Sequence, residues 1–395
     1  MSNRAVIVEG VRTPIGRFQG GLASIPAAKL GAVVIKALLE RTGLDAAKID
    51  EVLMGNVVQA GQGQNPARQA AIFGGVPTSV SAMTVNKVCG SGLKCVALAA
   101  QAIKAGDGHC YIAGGMENMS RIPYALFDAR DGMRLGHRPV TDLLVHDGLW
   151  DVYNDYHMGM TAELVVEKYE VSRERQDEFA AASHQKAVAA WESGNFTREV
   201  VPVEVPQRKG DPVVVDRDEG PRADASAEQM AKLRPAFKRD GGSVTPGNAS
   251  SINDGAAALL VCSEQFAEEN GLTVRAVIEG YATGAVDPEW VMMAPVGAVR
   301  NLLDKTGKEL GDYGLFEFNE AFASQSLAVM DELGVDQEKV NVNGGGISLG
   351  HPIGCSGARI LVTLLHAMEA RDVQDGIAAL CLGGGDAVAL AISRS

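Results

Sequence analysis

Two cysteines and one histidine of this chain lie inside glycine-rich turns. Cys89 lies in the segment Val-Asn-Lys-Val-Cys-Gly-Ser-Gly, His351 in Gly-His-Pro-Ile-Gly, and Cys381 in Cys-Leu-Gly-Gly-Gly. Glycine lets the backbone approach itself or a ligand closely, so a reactive side chain in such a turn is usually directed at a partner. Because a thiol is a nucleophile and an imidazole is a base, the three groups together predict a catalytic site.

Cys89 is the predicted nucleophile. Leu93, Val96 and Ala100 recur at helical spacing after it, which places Cys89 at the N-terminus of a helix. The partial positive charge of a helix N-terminus favours the thiolate, so we expect the pKa of Cys89 to lie below its ordinary value. The alternative, a small buried hydrophobic residue, fits less well with the glycines and polar residues around it. The other thiols, apart from Cys381, are predicted to be packing residues: Cys95, Cys110, Cys262 and Cys355.

His351 is the best base among the seven histidines, because it lies in a constrained loop before a helix predicted over 356–368. Cys381 follows the apolar run 377–380 and is predicted to end a strand, with an exposed thiol and free backbone N–H groups that can bind an oxyanion. His157 is a candidate pocket residue. The remaining histidines are predicted to be surface or hydrogen-bonded residues: His109, His137, His146, His184 and His366.

Composition limits the function classes. The chain has 395 residues, 46% of them apolar, and a net charge of −13, which disfavours nucleic acid and anionic membranes as partners. The apolar run within residues 1–9 is shorter than that of a signal peptide, so we expect a cytoplasmic protein. The six cysteines contain no C-x-x-C pair, which predicts reduced thiols and no zinc site.

The chain contains an internal duplication. Three segments return in the same order in the second half: 4–10 as 275–280, 30–43 as 296–307, and 51–56 as 315–319. Within each copy, β-branched runs alternate with helical patterns, which is typical of an α/β unit with a mostly parallel sheet. The sequence therefore predicts two copies of one α/β fold.

The repeat is interrupted between the two copies. We predict an N-terminal half formed by residues 1–119 and 251–270, an inserted loop subdomain over 120–250, and a C-terminal half over 271–395. One helical stretch is expected within the insertion, at 160–191. A connection of this length is typically a lid or a binding subdomain.

Four segments of the chain resemble the signature blocks of the thiolases: 85–93, 319–323, 350–354 and 381–385. The similarity covers the whole chain, including the duplication and the insertion. It implies the duplicated, layered αβαβα fold of that family and a reversible, ping-pong Claisen reaction on coenzyme A thioesters.

The resemblance implies a role for each residue of the site. Cys89 would carry the acyl group, with His351 as its base, and Cys381 would remove a proton from C2 of acetyl-CoA. His351 and a water held by Asn319 would bind the thioester oxygen. The N–H groups of Cys89 and Gly383 would form a second oxyanion hole.

The resemblance also implies that coenzyme A is bound as substrate and product, with no further cofactor and no metal. The insertion would hold it, and residues 208–239 carry eight Lys/Arg against six Asp/Glu, although a solvated mixed-charge loop is the alternative. The implied substrate and CoA contacts are Arg222 at the adenine end, Ser250, His157 and Met158 near the pantetheine, and Ala321 and Phe322.

The segments 146–151 and 156–159 are similar to the short-chain branch of the family, which converts two acetyl-CoA to acetoacetyl-CoA and CoA. The alternatives are a broader 3-ketoacyl-CoA thiolase of fatty-acid degradation and a non-catalytic, thiolase-like acyl or lipid carrier. Ketoacyl synthases share the fold but pair Cys with two His, or with His and Asn, so Cys381 argues against them. By resemblance, the assembly would be a homotetramer, with a dimer as the alternative.

Two segments depart from the family pattern. Residues 291–294 replace a glycine-containing loop near the acyl pocket, and Asp386-Ala387 replace a Gln/Met-Gly pair after the triple glycine. A carboxylate next to Cys381 would raise the pKa of that thiol. Because Asp386 aligns with Asp254 of the first copy, our hypothesis is a structural role for Asp386.

Overall fold

Strands and helices alternate along most of the chain in the computed structural model, which describes residues 4–394. Residues 1–3 and 395 lie outside the described residues, and so does the start of the apolar run within residues 1–9. The strands are β1 Ala5–Arg12, β2 Gly16–Arg17, β3 Glu51–Gly55, β4 Ser81–Val85, β5 Cys110–Asn118, β6 Tyr124–Ala125, β7 Thr141–Asp142, β8 Trp150–Asp151, β9 Tyr156–His157, β10 Val203–Val205, β11 Val213–Val215, β12 Asn253–Ser263, β13 Ala276–Ala285, β14 Leu315–Phe318, β15 Asp375–Leu382 and β16 Asp386–Arg394. The α-helices are α1 Ala27–Thr42, α2 Pro66–Phe73, α3 Ser91–Ala105, α4 Met158–Tyr169, α5 Arg173–Glu192, α6 Ala227–Met230, α7 Glu264–Glu269, α8 Ala294–Thr306, α9 Ala323–Leu333, α10 Gly346–Leu349 and α11 Ile353–Ala370.

The large strands form two half-sheets that meet edge to edge. Their order is β14-β15-β16-β13-β1-β12-β5-β3-β4, and only two residue pairs join β13 to β1. The pairing is mixed. Parallel pairs, which the sequence predicted as the main type, join β3 to β4 and β5 and β14 to β15, whereas the strands between them run antiparallel.

Five layers result from this arrangement, and the predicted αβαβα fold is confirmed. Alternate residues of β1 face opposite cores, because side chains alternate across a strand: Ile7 packs in the central core and Val6 in an outer one. The central core holds α3 and α11 between the two half-sheets. The outer cores hold α1 and α2 on one side, and α8 and α9 on the other.

The predicted duplication is also confirmed at the level of single strands. β1 and β13 are each interrupted by an irregularity after the third or fourth residue, and each pairs antiparallel with the last strand of its own copy, β12 or β16. The helices α1 and α8 both end at a left-handed glycine, Gly43 and Gly307. The exact boundaries between the halves and the insertion stay a prediction.

The insertion contains two helices where the sequence predicted one. The helical pattern over 160–191 is broken between α4 and α5, because Glu170 adopts the left-handed conformation and Ser172 caps the next helix. A buried ion-pair network attaches the insertion to β1. In it, Arg12 donates to Glu199 at 2.6 Å and to Asp218 at 2.7 Å and 2.9 Å.

The first turns of α3 and α11 cross in close contact, which brings the two predicted reactive loops together. A Cβ at Gly92 would lie 2.6 Å from the backbone nitrogen of Ala358, and one at Gly357 would collide with the backbone nitrogen of Leu93. Cys89 and His351 each lie two residues before the helix they introduce. Residues 88–105 are the one span within 4–394 whose length and hydropathy would suit a membrane, and they contain α3, which packs in the central core.

Replacing Gly357 by alanine is expected to destabilise the protein by about 3 kcal/mol, because the new methyl group would push α3 and α11 apart. The matched control is Gly297→Ala in α8, where the nearest atom to the added Cβ is 3.9 Å away. That control should be neutral or stabilising by up to about 1 kcal/mol. Denaturant unfolding of both variants gives the comparison, and equal stabilities would contradict the close contact.

Candidate active site

A cavity of about 630 Å³ opens where the ends of α3, α11 and β15 meet the insertion. Ten of the eleven residues predicted for the site line it: Cys89, His157, Met158, Arg222, Ser250, Ala321, Phe322, His351, Cys381 and Gly383. The eleventh, Asn319, lies behind the cavity wall against the ring of His351. The structure thus brings the predicted residues together, while their individual roles stay predictions.

The turn before α3 directs the thiol of Cys89 into this cavity. Val88 has a φ of 45°, a left-handed conformation that is strained for a β-branched residue. Side chains on both sides hold the turn in place. Asn86 accepts from the N–H of Val88 at 3.0 Å, and the hydroxyl of Ser91 donates to the carbonyl of Val88 at 2.6 Å.

The expected low pKa of Cys89 is wrong for this structure. Burial raises the pKa of the thiol, and the neighbouring Cys381 raises it further, although the N–H groups of Gly383 and of Cys89 itself act in the opposite direction. The helix end cannot compensate, because α3 begins only at Ser91 and the apolar walls remove water from the sulfur. The predicted nucleophilic role of Cys89 would therefore require a base that takes the proton of this thiol.

The hydrogen bonds of His351 identify the ring nitrogen that can accept that proton. Nδ1 lies 2.6 Å from the hydroxyl of Ser356, and this hydroxyl donates its own hydrogen to the carbonyl of Pro352 at 2.9 Å. Ser356 can therefore only accept from Nδ1–H, which leaves the lone pair on Nε2. Burial, and then the charge of Arg359, lower the pKa of His351 to about 4, so the ring is neutral near pH 7.

Asn319 follows the end of β14 and packs against the same ring. Its amide nitrogen lies 3.4 Å from Nδ1 and 3.5 Å from Nε2 of His351, and its backbone N–H donates to Ala379 at 3.0 Å. The side-chain oxygen is buried without a hydrogen-bond partner among the described residues. An unpaired buried acceptor is compatible with the predicted water-binding role.

Glu117, which the sequence analysis did not single out, joins the loop after His351 to the first half. Its carboxylate accepts from the N–H groups of Val57 at 2.9 Å and Gly354 at 3.0 Å, and from the amide of Asn56 at 2.9 Å. Burial nevertheless raises the pKa of Glu117 to about 7. Glu117 thus joins the His351 loop to Val57, whose carbonyl accepts from the amide of Asn86 in the Cys89 turn at 3.2 Å.

Cys381 ends β15 as predicted, but its thiol is buried rather than exposed, with 5% of the residue accessible. Burial raises its pKa to about 12. Gly384 and Gly385 have φ values of 90° and 87°, so the chain reverses into β16 through conformations that only glycine adopts easily. This reversal directs the N–H of Gly383 at the sulfur of Cys89.

The outer part of the cavity is formed by the insertion. His157 accepts from the N–H of Gly159 at 3.0 Å, so it caps α4, and its ring stacks on Phe237 at 4.8 Å. The backbone nitrogen of Arg222 lies 3.3 Å from Nδ1 of His184, and its guanidinium lies 3.3 Å from Nε2 of the same ring. His184 was predicted to be either a surface or a hydrogen-bonded residue, and it is hydrogen-bonded. Its position in the cavity wall was not predicted.

Arg17 also lines the cavity and was not predicted. In sequence it is distant from the basic segment 208–239, whose only basic residue in the cavity lining is Arg222. No local pattern around Arg17 distinguishes it from a solvated surface residue. The two arginines therefore supply positive charge at the cavity from two distant parts of the chain.

The activity of the wild-type protein is expected to stay nearly constant from pH 7 down to about pH 5.5, because a base with a pKa of about 4 is already deprotonated there. A base with an ordinary pKa of about 6.5 would lose most of its activity over that range. The pH dependence of kcat/KM, measured on enzyme shown to be folded at each pH, tests this expectation.

Replacing Ser356 by alanine is expected to lower kcat about 10²-fold, because the proton is no longer held on Nδ1 of His351. The control is Ser326→Ala in α9, whose buried hydroxyl has no hydrogen-bond partner among the described residues. Equal kcat values for the two variants would contradict the assigned tautomer.

Two family models together match nearly the whole chain. The family model "Thiolase, N-terminal domain" matches residues 5–265, and "Thiolase, C-terminal domain" matches residues 272–394. A Pseudomonas aeruginosa protein named acetyl-CoA acetyltransferase is 59% identical over 389 residues, which are 98% of this chain and 99% of that protein. A Staphylococcus aureus protein named probable acetyl-CoA acyltransferase is 54% identical over 391 residues, 99% of each chain.

A solved structure shows the same fold. The crystal structure of the Bacillus anthracis acetyl-CoA acetyltransferase superimposes with a TM-score of 0.97 at 45% sequence identity, covering 100% of this chain and 99% of that one.

Proposed function

Because this chain belongs to the thiolase family, and is an acyltransferase of that family, we propose that it condenses two acetyl-CoA molecules reversibly to acetoacetyl-CoA and CoA through an acyl-Cys89 intermediate. The observation that carries the proposal is the meeting of Cys89, His351 and Cys381 in one cavity. The names of the relatives in Pseudomonas aeruginosa and Bacillus anthracis support the choice of acetyl-CoA.

In the first half-reaction, Nε2 of His351 takes the proton of the Cys89 thiol and the sulfur attacks the carbonyl carbon of acetyl-CoA. The oxyanion that forms accepts hydrogen bonds from the N–H groups of Cys89 and Gly383. The tetrahedral intermediate then collapses, the bond to the CoA sulfur breaks, and the proton on His351 goes to the departing thiolate. The neutral resting state of His351 supports this base role.

In the second half-reaction, Cys381 passes its proton to Nε2 of the neutral His351, and the resulting thiolate removes a proton from C2 of a second acetyl-CoA. The enolate oxygen is bound by His351 and by a water at Asn319, and C2 attacks the acyl group on Cys89. Collapse releases the thiolate of Cys89, and His351 gives this thiolate the proton that it took from Cys381, so both cysteines are thiols and His351 is neutral again. A thiol with a pKa of about 12 forms a strongly basic thiolate, and a carbon acid requires a strong base.

Coenzyme A is substrate and product in this scheme, and no metal or other cofactor takes part. Arg222, Ser250, His157 and Met158 are proposed to contact its nucleotide and pantetheine parts, with Ala321 and Phe322 lining the same path. The cationic side chains of Arg222 and Arg17 support an anionic nucleotide at the mouth of the cavity.

The experiment that tests the proposal is brief exposure to acetyl-CoA followed by mass spectrometry of peptides. An acetyl group on Cys89, lost again when CoA is added, is the expected result. The non-catalytic carrier predicts bound acetyl-CoA and no covalent acetyl group, and that outcome would refute the enzyme mechanism.

Short acyl chains are proposed as substrates because bulky apolar side chains border the reactive end of the cavity: Leu149, Val291, Met292 and Leu382. Two of them lie in the segment that departs from the family pattern. Thiolysis of 3-ketoacyl-CoA thioesters of increasing length is expected to show kcat/KM falling at least about tenfold when two methylenes are added to acetoacetyl-CoA. Constant values up to medium chains would instead favour the broader 3-ketoacyl-CoA thiolase.

A role in fatty-acid metabolism in the cytoplasm is proposed from the reaction itself and from the cysteines, all six of which are unpaired thiols. A homotetramer, or else a dimer, is proposed as the assembly. Exposed apolar side chains support self-association: Ile72, Phe73 and Met83 near the free edge strand β4, and Phe127, Leu135 and Val140 in the insertion. Analytical ultracentrifugation tests the assembly, and a monomer at micromolar concentration would refute it.

A further inference from the structure

An ion pair joins the turn that carries the nucleophile to the turn that follows the second cysteine. Nζ of Lys87 bonds to the carboxylate of Asp386, 299 residues further along the chain and in the other half. We propose that this ion pair clamps the two turns together, so that Lys87 and Asp386 are positioning residues for the N–H groups of Cys89 and Gly383. The inference rests on the oxyanion hole of the proposed function.

Both members of the pair are connected rigidly to the groups they would position. Lys87 precedes Cys89 by two residues, and its backbone is held by the hydroxyl of Ser91, which accepts from its N–H at 2.8 Å, and by Gly90, which donates to its carbonyl at 3.1 Å. Asp386 starts β16, three residues after Gly383, and accepts from the N–H of Ala387 at 2.7 Å. A shift at either charge is therefore transmitted to a donor of the hole.

The turn at 383–385 is held at its far end, where the carbonyl of Gly385 accepts from the N–H of Val286 at 2.7 Å, but less closely at Gly383. Three consecutive glycines give it more conformational freedom than any other tripeptide would have. The added Cβ at Gly383 would have only Val88 near it, at 3.4 Å, so little packing holds that residue in place. Among the described residues, the ion pair between Lys87 and Asp386 joins this turn to the Cys89 turn.

The charges around Asp386 make the loss of this carboxylate different from the loss of Lys87. Lys94 on α3 lies close enough to feel the charges of Lys87, Lys305 and Asp386, and only Asp386 is negative among these three. Without the carboxylate, the ammonium group of Lys87 would be repelled by that of Lys94, and this repulsion would displace the Cys89 turn. Removal of Asp386 alone therefore replaces the attraction by a repulsion, whereas removal of Lys87 only abolishes the attraction.

The same surroundings argue against the other reading of Asp386, a carboxylate that acts on Cys381. The pKa of Cys381 is raised by burial and lowered by its own N–H, and Asp386 does not contribute to its shift. The carboxylate is instead occupied by Lys87 and by the N–H of Ala387.

The experiment compares four variants with the wild type: Asp386→Asn, Lys87→Met, the double variant of these two, and the charge swap Lys87→Asp with Asp386→Lys. Both side chains are partly exposed, at 26% and 32%, so the single variants are expected to fold. The measured quantities are the rate of the first CoA release after mixing with acetyl-CoA, kcat, KM, and the pH dependence of kcat.

Each single variant is expected to lower the first CoA release and kcat about tenfold, with KM changed less than about twofold, because the donors are displaced but the binding surface is not. The double variant should equal Lys87→Met, because neither has a charge at position 87 for Lys94 to repel. The charge swap should recover most of the rate, and the apparent pKa of the rate should not move. The matched control is Asp375→Asn, which breaks a similarly exposed ion pair with Lys308 at the start of β15 and should leave kcat unchanged.

Full activity of both single variants would overturn the clamp, as would a loss that the charge swap does not recover or a KM that rises as much as kcat falls. A shifted pH dependence in Asp386→Asn would also overturn it and would favour direct action on Cys381. If the wild type itself shows no CoA release and no acyl-Cys89, the proposed function fails. Release that does not depend on Asp386 removes only the clamp.

Discussion

Alanine in place of Cys89 will abolish thiolysis of acetoacetyl-CoA, lowering kcat by at least about 10⁴-fold. Removing the nucleophile of a covalent mechanism leaves only the rate enhancement from binding and the oxyanion hole. The thiol is the part of the side chain that the hydrogen bonds of Gly383 and Cys89 reach, and alanine has no group that replaces it. Steady-state and single-turnover assays of CoA consumption measure the effect.

The control for this variant is Cys262→Ala. Cys262 lies on β12 in an outer core, is fully buried, and has no part in the cavity. Its replacement should cost stability through the lost packing but leave kcat within about twofold of the wild type. Comparable losses in both variants would mean that Cys89 acts through packing and would contradict its role as nucleophile.

Replacing Cys381 by alanine is expected to separate the two half-reactions. Condensation and thiolysis should fall about 10³-fold or more, since the carbon acid loses its base, whereas acylation of Cys89 by acetyl-CoA should stay measurable. Cys381 shares the cavity with Cys89 and His351 but makes none of the hydrogen bonds that orient the imidazole. Rapid-quench detection of acyl-Cys89, set beside steady-state turnover, gives the two numbers.

The acylation step serves as the internal control for this variant, because a misfolded protein would lose it together with turnover. If acylation and turnover fall by the same factor, Cys381 is needed in the first half-reaction as well, and the assignment of separate roles is wrong. Slower exchange of the C2 hydrogens of acetyl-CoA with deuterated water would support the assignment directly.

Local sequence patterns predicted the elements that carry the site. The periodic apolar residues after Cys89 correspond to α3, the helix predicted from 356 begins three residues earlier as α11, and the apolar run before Cys381 is β15. These elements are long and regular, and their amphipathic pattern depends only on neighbouring residues. The internal repeat also predicted that the two halves pack against each other, because two copies of one fold bury equivalent faces.

Two of the wrong predictions concern properties that depend on distant residues. The pKa of Cys89 was expected to be low from its place at a helix, but apolar walls and a second thiol from the other half raise it. The thiol of Cys381 was expected to be exposed, but the cavity wall covers it. The single helix expected over 160–191 was wrong for a local reason, since Glu170 carries none of the usual signals of a helix end.

Two of the contacts that sequence reasoning missed join residues that are distant in the chain. Glu117 bonds to the His351 loop over 237 residues, and Lys87 bonds to Asp386 over 299. Ser356 lies only five residues from His351, and its hydroxyl in the first turns of α11 was the one signal that could have been found. A hydroxyl one turn after a predicted base is common in sequences. Only the hydrogen bond from the Ser356 hydroxyl to the Pro352 carbonyl shows that Ser356 holds the proton on Nδ1 of His351.

The sequence by itself determined which side chains can react and which secondary structures present them, because reactivity and helical or strand periodicity are properties of single residues and their near neighbours. The tertiary structure alone decided how these side chains behave. The crossing of α3 and α11 at Gly92 and Gly357 sets the distance between the thiol and the imidazole. Burial in the cavity sets their protonation states, since the free energy of a charge depends on all the atoms that displace water around it.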